Sequence, residues 1–295
     1  RAVVGETLID FPAPDNKTWE EAVAYTKRFA ARWREHPRIT PAVAPHAPYT
    51  VSAEHLKEAQ LLAEELDLPM LIHLAEDRSE VEQIVEQSGW TSVRYLEDLG
   101  LLSPRVLAAH VVWPADGEIE LLSEYGVGVA HCPQSNMKVA AGIAPVPAMI
   151  AAGVAVGIGT DGAASNNDLN LWEEIDTAAK LHKVNTLDPT VVNARQALRM
   201  ATIEGARAMG LETEIGSLEV GKRADVIIVG SDRVHQQPNY DPYSLLVYST
   251  KASDVETVIV DGRVVVDDGR VLTLDRREVL EKTAEYQRLV ADLGR

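Results

Sequence analysis

The chain has 295 residues, 46% of them hydrophobic and 25% charged, which is ample for a large buried core and ordinary for a globular protein. Its formal net charge of -17 excludes nucleic acid and anionic membrane as natural partners, because their phosphates are repelled. Cys132 is the only cysteine, so an internal disulfide is excluded; the amino end has no signal-peptide pattern and no apolar run approaches a membrane span, which points to the reducing cytoplasm.

Residues 2–9 read as a strand, followed by a loop carrying Pro12 and Pro14. Thr18-Trp19-Glu20-Glu21 has the form of a capping box, and Ala22, Tyr25, Phe29 and Trp33 follow at helical spacing. An apolar run from Ile39 to Ala44 leads into Pro45-His46, and a helix is expected from about Ser52 to Leu66. Met70-Leu71-Ile72-His73-Leu74-Ala75-Glu76 is a short strand ending in a histidine, with a glutamate three residues on. Ser79-Glu80-Val81-Glu82 predicts another capping box, and a second helix spans about Ser92 to Leu99. The alternation then repeats: a strand to His110, a helix near Ile119 to Tyr125, a strand to His131, a helix near Val146 to Ala152, a strand to Asp161, and a helix from about Leu169 to Leu181. Such alternation implies parallel strands joined by right-handed crossovers.

Asp188-Pro189 reads as a helix cap and first turn, with helices over about 190–209 and a stop at Gly210. Ile215 to Leu218, Ala224 to Val229, Val255 to Val260 and Arg263 to Val266 predict antiparallel structure, with Asp261-Gly262 as a two-residue hairpin turn. A helix from about Asp275 to Leu293 closes the chain. The expected division is a β/α part in residues 1–211, a β-rich part in 212–274 and a closing helix in 275–295.

His46, His73, His110, His131 and Asp161 recur at one topological position, the carboxyl end of successive strands. In a β/α barrel those ends converge on one mouth. Any one of them alone is more often a structural cap, but five in register make separate accidents a poor explanation. Imidazole and carboxylate together suit zinc or another first-row divalent ion, Fe2+ included. His36, His55, His182 and His235 stand in helices or loops without company and receive no role. Cys132 follows His131 on a strand, so it faces the other way and belongs to the core rather than to a Cys-His nucleophile pair. The loop Thr160-Asp161-Gly162-Ala163-Ala164-Ser165-Asn166-Asn167 is rich in small and amide groups, as a substrate-facing loop or a plain helix entry would be.

Pro45-His46-Ala47-Pro48-Tyr49-Thr50, His73-Leu74-Ala75-Glu76, His131-Cys132-Pro133-Gln134-Ser135-Asn136 and the Thr160 to Asn167 loop together resemble the amidohydrolase superfamily. More narrowly they resemble the 5-methylthioadenosine/S-adenosylhomocysteine deaminases, near the group that dechlorinates triazines. Gly221-Lys222-Arg223-Ala224-Asp225-Val226 resembles that family's entry into its β-sandwich. The resemblance implies an α/β fold, a (β/α)8 TIM-type metallo-hydrolase barrel with a small β-sandwich domain. It implies one divalent metal ion held by His73 and Asp161, with Asp161 also accepting a proton, Glu76 as general acid and His110 holding the attacking hydroxide or the oxyanion. His46, Ser165, Asn136 and Arg1 match positions that contact substrate. Such families carry two further ligands in a His-x-His on the first barrel strand, and no His-x-His occurs in this sequence. Counting back from His73 as the fifth strand makes residues 2–9 the third, so the first strands are expected to lie outside this chain.

The implied activity is a hydrolytic deamination of 6-amino purine nucleosides such as 5-methylthioadenosine or S-adenosylhomocysteine. A triazine chlorohydrolase or guanine-type aminohydrolase would share the metal site, and a non-catalytic metal-binding or scaffold protein is the reading if the missing His-x-His ligands were never encoded. Cytidine-type zinc deaminases, which need a Pro-Cys-x-x-Cys motif, are excluded by the single cysteine. The expected partner is a small-molecule substrate, with a homo-oligomer left open.

Overall fold

The structure, a computed structural model, describes residues 1–293. Six parallel strands form one sheet in strictly sequential order: β1 (Ala2–Leu8), β2 (Ile39–Pro45), β3 (Met70–Leu74), β4 (Val106–His110), β5 (Gly128–His131) and β6 (Val156–Ile158). Sequential order with right-handed crossovers winds every connection the same way, as in barrels. A doubly wound sheet would instead reverse its order at a switch point.

Helices fill the crossovers, each started by a local device. Thr18 caps α1 (Trp19–Trp33) by accepting from the Glu21 N–H, and Ser52 caps α2 (Ala53–Leu66) through His55. The cap of α3 (Arg78–Ser88) is Asp77, not Ser79, so the expected capping box is displaced by two residues and Glu80 takes its third helical position. α4 (Ser92–Asp98) has no side-chain cap of its own. Its amide groups at Val93 and Arg94 donate instead to the buried carboxylate of Glu118, at the start of α5 (Glu118–Glu124).

On β3 the burial alternates: Met70, Ile72 and Leu74 are buried, while Leu71 and His73 are half-buried. The buried set joins Leu56, Leu62, Val93, Leu96, Val106, Ala108, Val129 and Met149 in one apolar core. Each fully buried Leu or Val contributes roughly 1.5–3 kcal/mol by leaving water. After β5 come α6 (Pro133–Lys138) and α7 (Val146–Ala151), and after β6 come α8 (Ala163–Asn166) and α9 (Leu171–Thr186).

α10 (Ala194–Met200) and α11 (Ile203–Ala208) fall within the expected helical region, but α10 starts at an Asn193–Gln196 capping box. Asp188 accepts from both the Thr190 N–H and hydroxyl, a local turn that competes with helix, so it does not cap one. α11 lies directly on the sheet. A Cβ on Gly128 of β5 would stand 2.0 Å from the Ala208 carbonyl oxygen, and Gly157 of β6 faces Gly205 with a Cβ-to-Cα gap of 2.9 Å. These glycines are spacers for close helix–strand approach.

A second sheet is antiparallel, in the order β10–β9–β8–β7, built from β7 (Val226–Val229), β8 (Val255–Val260), β9 (Arg263–Asp267) and β10 (Arg270–Val271). Asp261 and Gly262 both have positive φ, 54° and 75°, as the tight turn between β8 and β9 requires. Residues 215–218 form no strand. Gly216 presses on α11, where an added Cβ would meet Ala206 and Ile203 at 2.8 Å, so the segment straps the helix. A final helix runs over Arg276–Leu293, exposed along its described side chains. No helix among the described residues is long and apolar enough to cross a membrane.

Gly128→Ala is expected to lower stability by about 1–3 kcal/mol through overpacking against Ala208. Gly162→Ala, which meets nothing within 4 Å, should cost little. Urea unfolding midpoints of the two variants check this, and equal midpoints would mean that α11 does not rest on β5.

Candidate metal centre and active site

His73 occupies the carboxyl end of β3. Its backbone N–H and its ring Nδ1 both donate to one acceptor, the His46 carbonyl oxygen, at 3.0 and 2.6 Å. That fixes the proton on Nδ1 and leaves Nε2 as a free lone pair pointing out of the strand end. The His46 ring lies 5.0 Å from the His73 ring. Burial, and then the His73 ring, lower the His46 pKa and keep it neutral at pH 7. The Thr50 hydroxyl donates to Ala47, so its oxygen accepts from His46 Nδ1–H at 2.8 Å, and His46 Nε2 is a free acceptor.

His110 arrives by a different route. Its register partner is Leu74, and regular pleating would turn both toward the buried face. Positive φ at His110 (73°) and Val111 (47°) breaks that alternation and brings the ring into a stack 5.5 Å from His73. His110 Nδ1 donates to Asn136 Oδ1 at 2.9 Å, so Nε2 again presents a lone pair, 3.5 Å from Glu76 Oε2. Asp161 also has positive φ, 62°. Its Oδ2 accepts from the Ser135 and Ser165 hydroxyls at 2.6 and 2.7 Å, leaving Oδ1 uncommitted. Burial acts to raise the Asp161 pKa, but the two serines, the Gly162 N–H and the His110 ring hold it below the ordinary carboxylate range.

One ligand atom from each of His73, His110 and Asp161 falls within 4.8 Å of the others. Imidazole nitrogen and carboxylate oxygen together are donors that suit zinc. The structure therefore places His110 beside the expected ligand pair, His73 and Asp161. Left-handed backbone costs non-glycine residues of order 1 kcal/mol or more, and Ala75, His110 and Asp161 all adopt it at this end of the sheet.

Other expected contacts are redistributed. Asn136 is buried, and its amide oxygen accepts from His110 and orients that ring, while its Nδ2 has no partner among the described residues. The Ser165 hydroxyl is committed to Asp161. Arg1 is a correction: it precedes β1 and so lies at the amino-terminal end of the sheet, opposite the site. There its guanidinium pairs with Asp225 at 2.7 Å and Asp261 at 3.5 Å and donates to the Pro37 carbonyl. Arg1 ties the second sheet to the first and does not reach the site. Cys132 is buried, and burial pushes its thiol up beyond the physiological range, as befits a core position.

His131 does not join the cluster. It is buried, and its Nε2 lies 3.1 Å from Nε2 of His182, which α9 brings beneath β5. Burial lowers both pKa values, that of His182 to about 4 and that of His131 well below its usual value, so both rings are neutral. His182 was legible in one respect. It falls in helical register with buried Ile175, Ala178 and Ala179.

A model of the amidohydrolase family matches residues 1–265. Two curated relatives are each named 5-methylthioadenosine/S-adenosylhomocysteine deaminase. That of Syntrophobacter fumaroxidans is 47% identical over 290 residues, covering 98% of this chain and 66% of its own length. That of Desulforudis audaxviator is 52% identical over 270 residues, covering 90% and 63%. A solved adenosine deaminase from Xanthomonas campestris, with bound zinc, superposes with a TM-score of 0.97 at 37% identity, covering 99% of this chain and 66% of its own. An atrazine chlorohydrolase from Arthrobacter aurescens, complexed with zinc, gives a TM-score of 0.89 at 25% identity, covering 96% and 65%. The chain thus spans just under two thirds of the length of the curated relatives it matches.

The His131–His182 pair sets a pH dependence. An unfolded histidine titrates near 6.5, whereas folded His182 does so near 4. Between these values the unfolded chain binds the proton that the folded chain refuses, so stability is lost as pH falls from 6.5 toward 4. His182→Gln should flatten this slope, measured as urea midpoints across that range. An unchanged slope would show that the ring is solvated.

Proposed function

Because the chain belongs to the amidohydrolase family, we propose that it carries the hydrolytic centre of a deaminase acting on 6-amino purine nucleosides, of the 5-methylthioadenosine and S-adenosylhomocysteine type. The observation that carries this reading is the convergence of His73, His110 and Asp161 with the Glu76 carboxylate 3.5 Å from His110. The names of the relatives above 40% identity favour the nucleoside over the triazine, whose hydrolase is only 25% identical. We read the six-stranded sheet as part of a closed (β/α)8 barrel within residues 1–211, and the antiparallel sheet as part of a β-sandwich within 212–274.

His73 and Asp161, with His110 beside them, would hold one divalent ion, Zn2+ by its donor set. When bound, such an ion lowers the pKa of a water molecule toward neutrality. The chain's own groups then divide the proton work. His110 Nε2, with its lone pair outward, accepts a hydrogen bond from the attacking water and orients it. The Asp161 carboxylate takes one proton of that water, while the two serines keep it ionised and pointed. Glu76, partly exposed beside His110, delivers a proton to the ring nitrogen next to the carbon under attack. The proton held by Asp161 then passes to the exocyclic nitrogen, which leaves as ammonia, and the hydroxyl added to the amidine carbon returns its remaining proton to Glu76 and becomes the carbonyl. His46 Nε2 faces outward as an acceptor suited to a ribose hydroxyl.

The test is ammonia release from methylthioadenosine, S-adenosylhomocysteine, adenosine and guanine, run beside dechlorination of a chlorotriazine. Nucleosides with a 5′-thioether should be preferred. Dechlorination without ammonia from any nucleoside would overturn the reading in favour of a triazine hydrolase. Glu76→Gln should leave bound zinc unchanged and lower turnover by about 10²–10⁴. Loss of zinc along with activity would make Glu76 a ligand instead.

A further inference from the structure

Glu80 lies in the first turn of α3, where a glutamate ordinarily faces water, yet it is only 5% exposed. Each of its carboxylate oxygens is spent on one backbone amide: Oε1 accepts from the Ala75 N–H at 3.0 Å, and Oε2 from the Glu76 N–H at 2.9 Å. Asp77 is the side-chain cap of the helix, and Glu80 stands at its third position, from which its carboxylate reaches back past the cap to these two amides. The two amides belong to the turn by which the chain leaves β3. Ala75 there has φ of 50°, a left-handed conformation in which the Cβ of an alanine crowds the backbone. The Ala75 carbonyl is held as well, accepting from Val112 and Trp113 at 2.9 and 3.0 Å. The turn is therefore fixed on its amide side by Glu80 and on its carbonyl side by the loop after β4. Burying a carboxylate is costly unless its oxygens are satisfied, and here the satisfying groups are the backbone of the proposed acid.

We propose that Glu80 is a positioning residue for Glu76. Its carboxylate fixes the peptide between Ala75 and Glu76 so that the Glu76 carboxyl stays beside His110 Nε2, and Glu80 itself touches no substrate. This rests on the general-acid role given to Glu76 above. Were the clamp released, the strained turn would relax toward ordinary backbone angles, and the Glu76 carboxyl, three bonds out from its Cα, would swing away from His110. A misplacement of about 1 Å in a catalytic group can cost on the order of 10² in rate. Glu80→Gln keeps the shape and one acceptor but turns an amide N–H toward a backbone N–H, which breaks one arm of the clamp.

A double-mutant cycle in the intact enzyme tests this: wild type, Glu76→Gln, Glu80→Gln and the double variant, each assayed for kcat, KM and bound zinc. Glu80→Gln alone should lower kcat by about tenfold to a hundredfold, with KM within about twofold and zinc unchanged. In the Glu76→Gln background the same change should lower turnover by less than about twofold, because there is no longer an acid to position. If the two losses multiply, Glu80 acts elsewhere and the proposal is overturned. Loss of zinc in Glu80→Gln would overturn it too. Should Glu80→Gln fail to fold, Glu80→Asp, which keeps the charge and shortens the reach, is run through the same cycle under the same criteria. If wild type hydrolyses only the chlorotriazine, the nucleoside reading fails, and the cycle on that substrate still decides for or against Glu80. If wild type hydrolyses nothing, both readings fall.

Discussion

The candidate site depends on one oxygen atom, the carbonyl of His46. Pro45 has no N–H, and regular pairing between β2 and β3 is reduced to Val43 with Met70. Beyond that point the two strand ends are joined because the His46 carbonyl accepts both the backbone and the ring N–H of His73. The same contact selects the His73 tautomer and sets the distance between the His46 and His73 rings. His110 is then stacked on His73, and Glu76 is placed against His110. Each of the remaining groups is located relative to a ring that this carbonyl has already oriented.

A second layer of side chains serves the first without facing the mouth. Asn136 orients His110, Ser135 and Ser165 orient Asp161, and Glu174 ties the loop after β5 to the loop after β6. Glu174 does so by accepting from the Gln134 N–H and the Asn166 amide. Burial pushes the Glu174 carboxyl up to about 7, against the pull of those two donors. At the other end of the sheet Arg1, Asp225 and Asp261 form an ion cluster that attaches the antiparallel sheet. Chemistry and attachment are thus assigned to opposite ends of the same six strands, the usual division in parallel β/α folds.

Much of this was legible in the sequence because strand ends are marked by composition. Apolar runs closing on His46, His73, His110, His131 and Asp161 marked the strands and their carboxyl ends, although His131 pairs with His182 away from the cluster, and Asp261-Gly262 gave away the hairpin. What stayed hidden depends on contacts distant in the chain or on backbone angles. His182 has no informative neighbour, and its partner His131 is 51 residues away. Nothing in a sequence announces that His110 takes a positive φ. Glu80 gave no sign of its role, because a first-turn glutamate does not announce that its carboxylate reaches past the cap to the Ala75 and Glu76 amides. Arg1 was misplaced because a resemblance at one residue says nothing about which end of a strand it occupies. Ile215 to Leu218 is apolar enough for a strand, but Gly216 is used to approach a helix.

The sequential strand order also bears on how the chain acquires its site during synthesis. Register partners are separated by similar short spans, 37 residues from Ala2 to Ile39 (39 − 2) and 36 from Met70 to Val106 (106 − 70). Each new strand therefore docks on the one made just before it, so the sheet can grow in the direction of translation without waiting for distant segments. Asp161, by contrast, comes from the loop after the last parallel strand, 88 residues beyond His73 (161 − 73). A nascent chain that has completed β4 presents two imidazoles without their carboxylate. The cluster of His73, His110 and Asp161 forms only when β6 and the loop behind it have been placed, so the order of the strands delays its assembly until the sheet beneath it has been built.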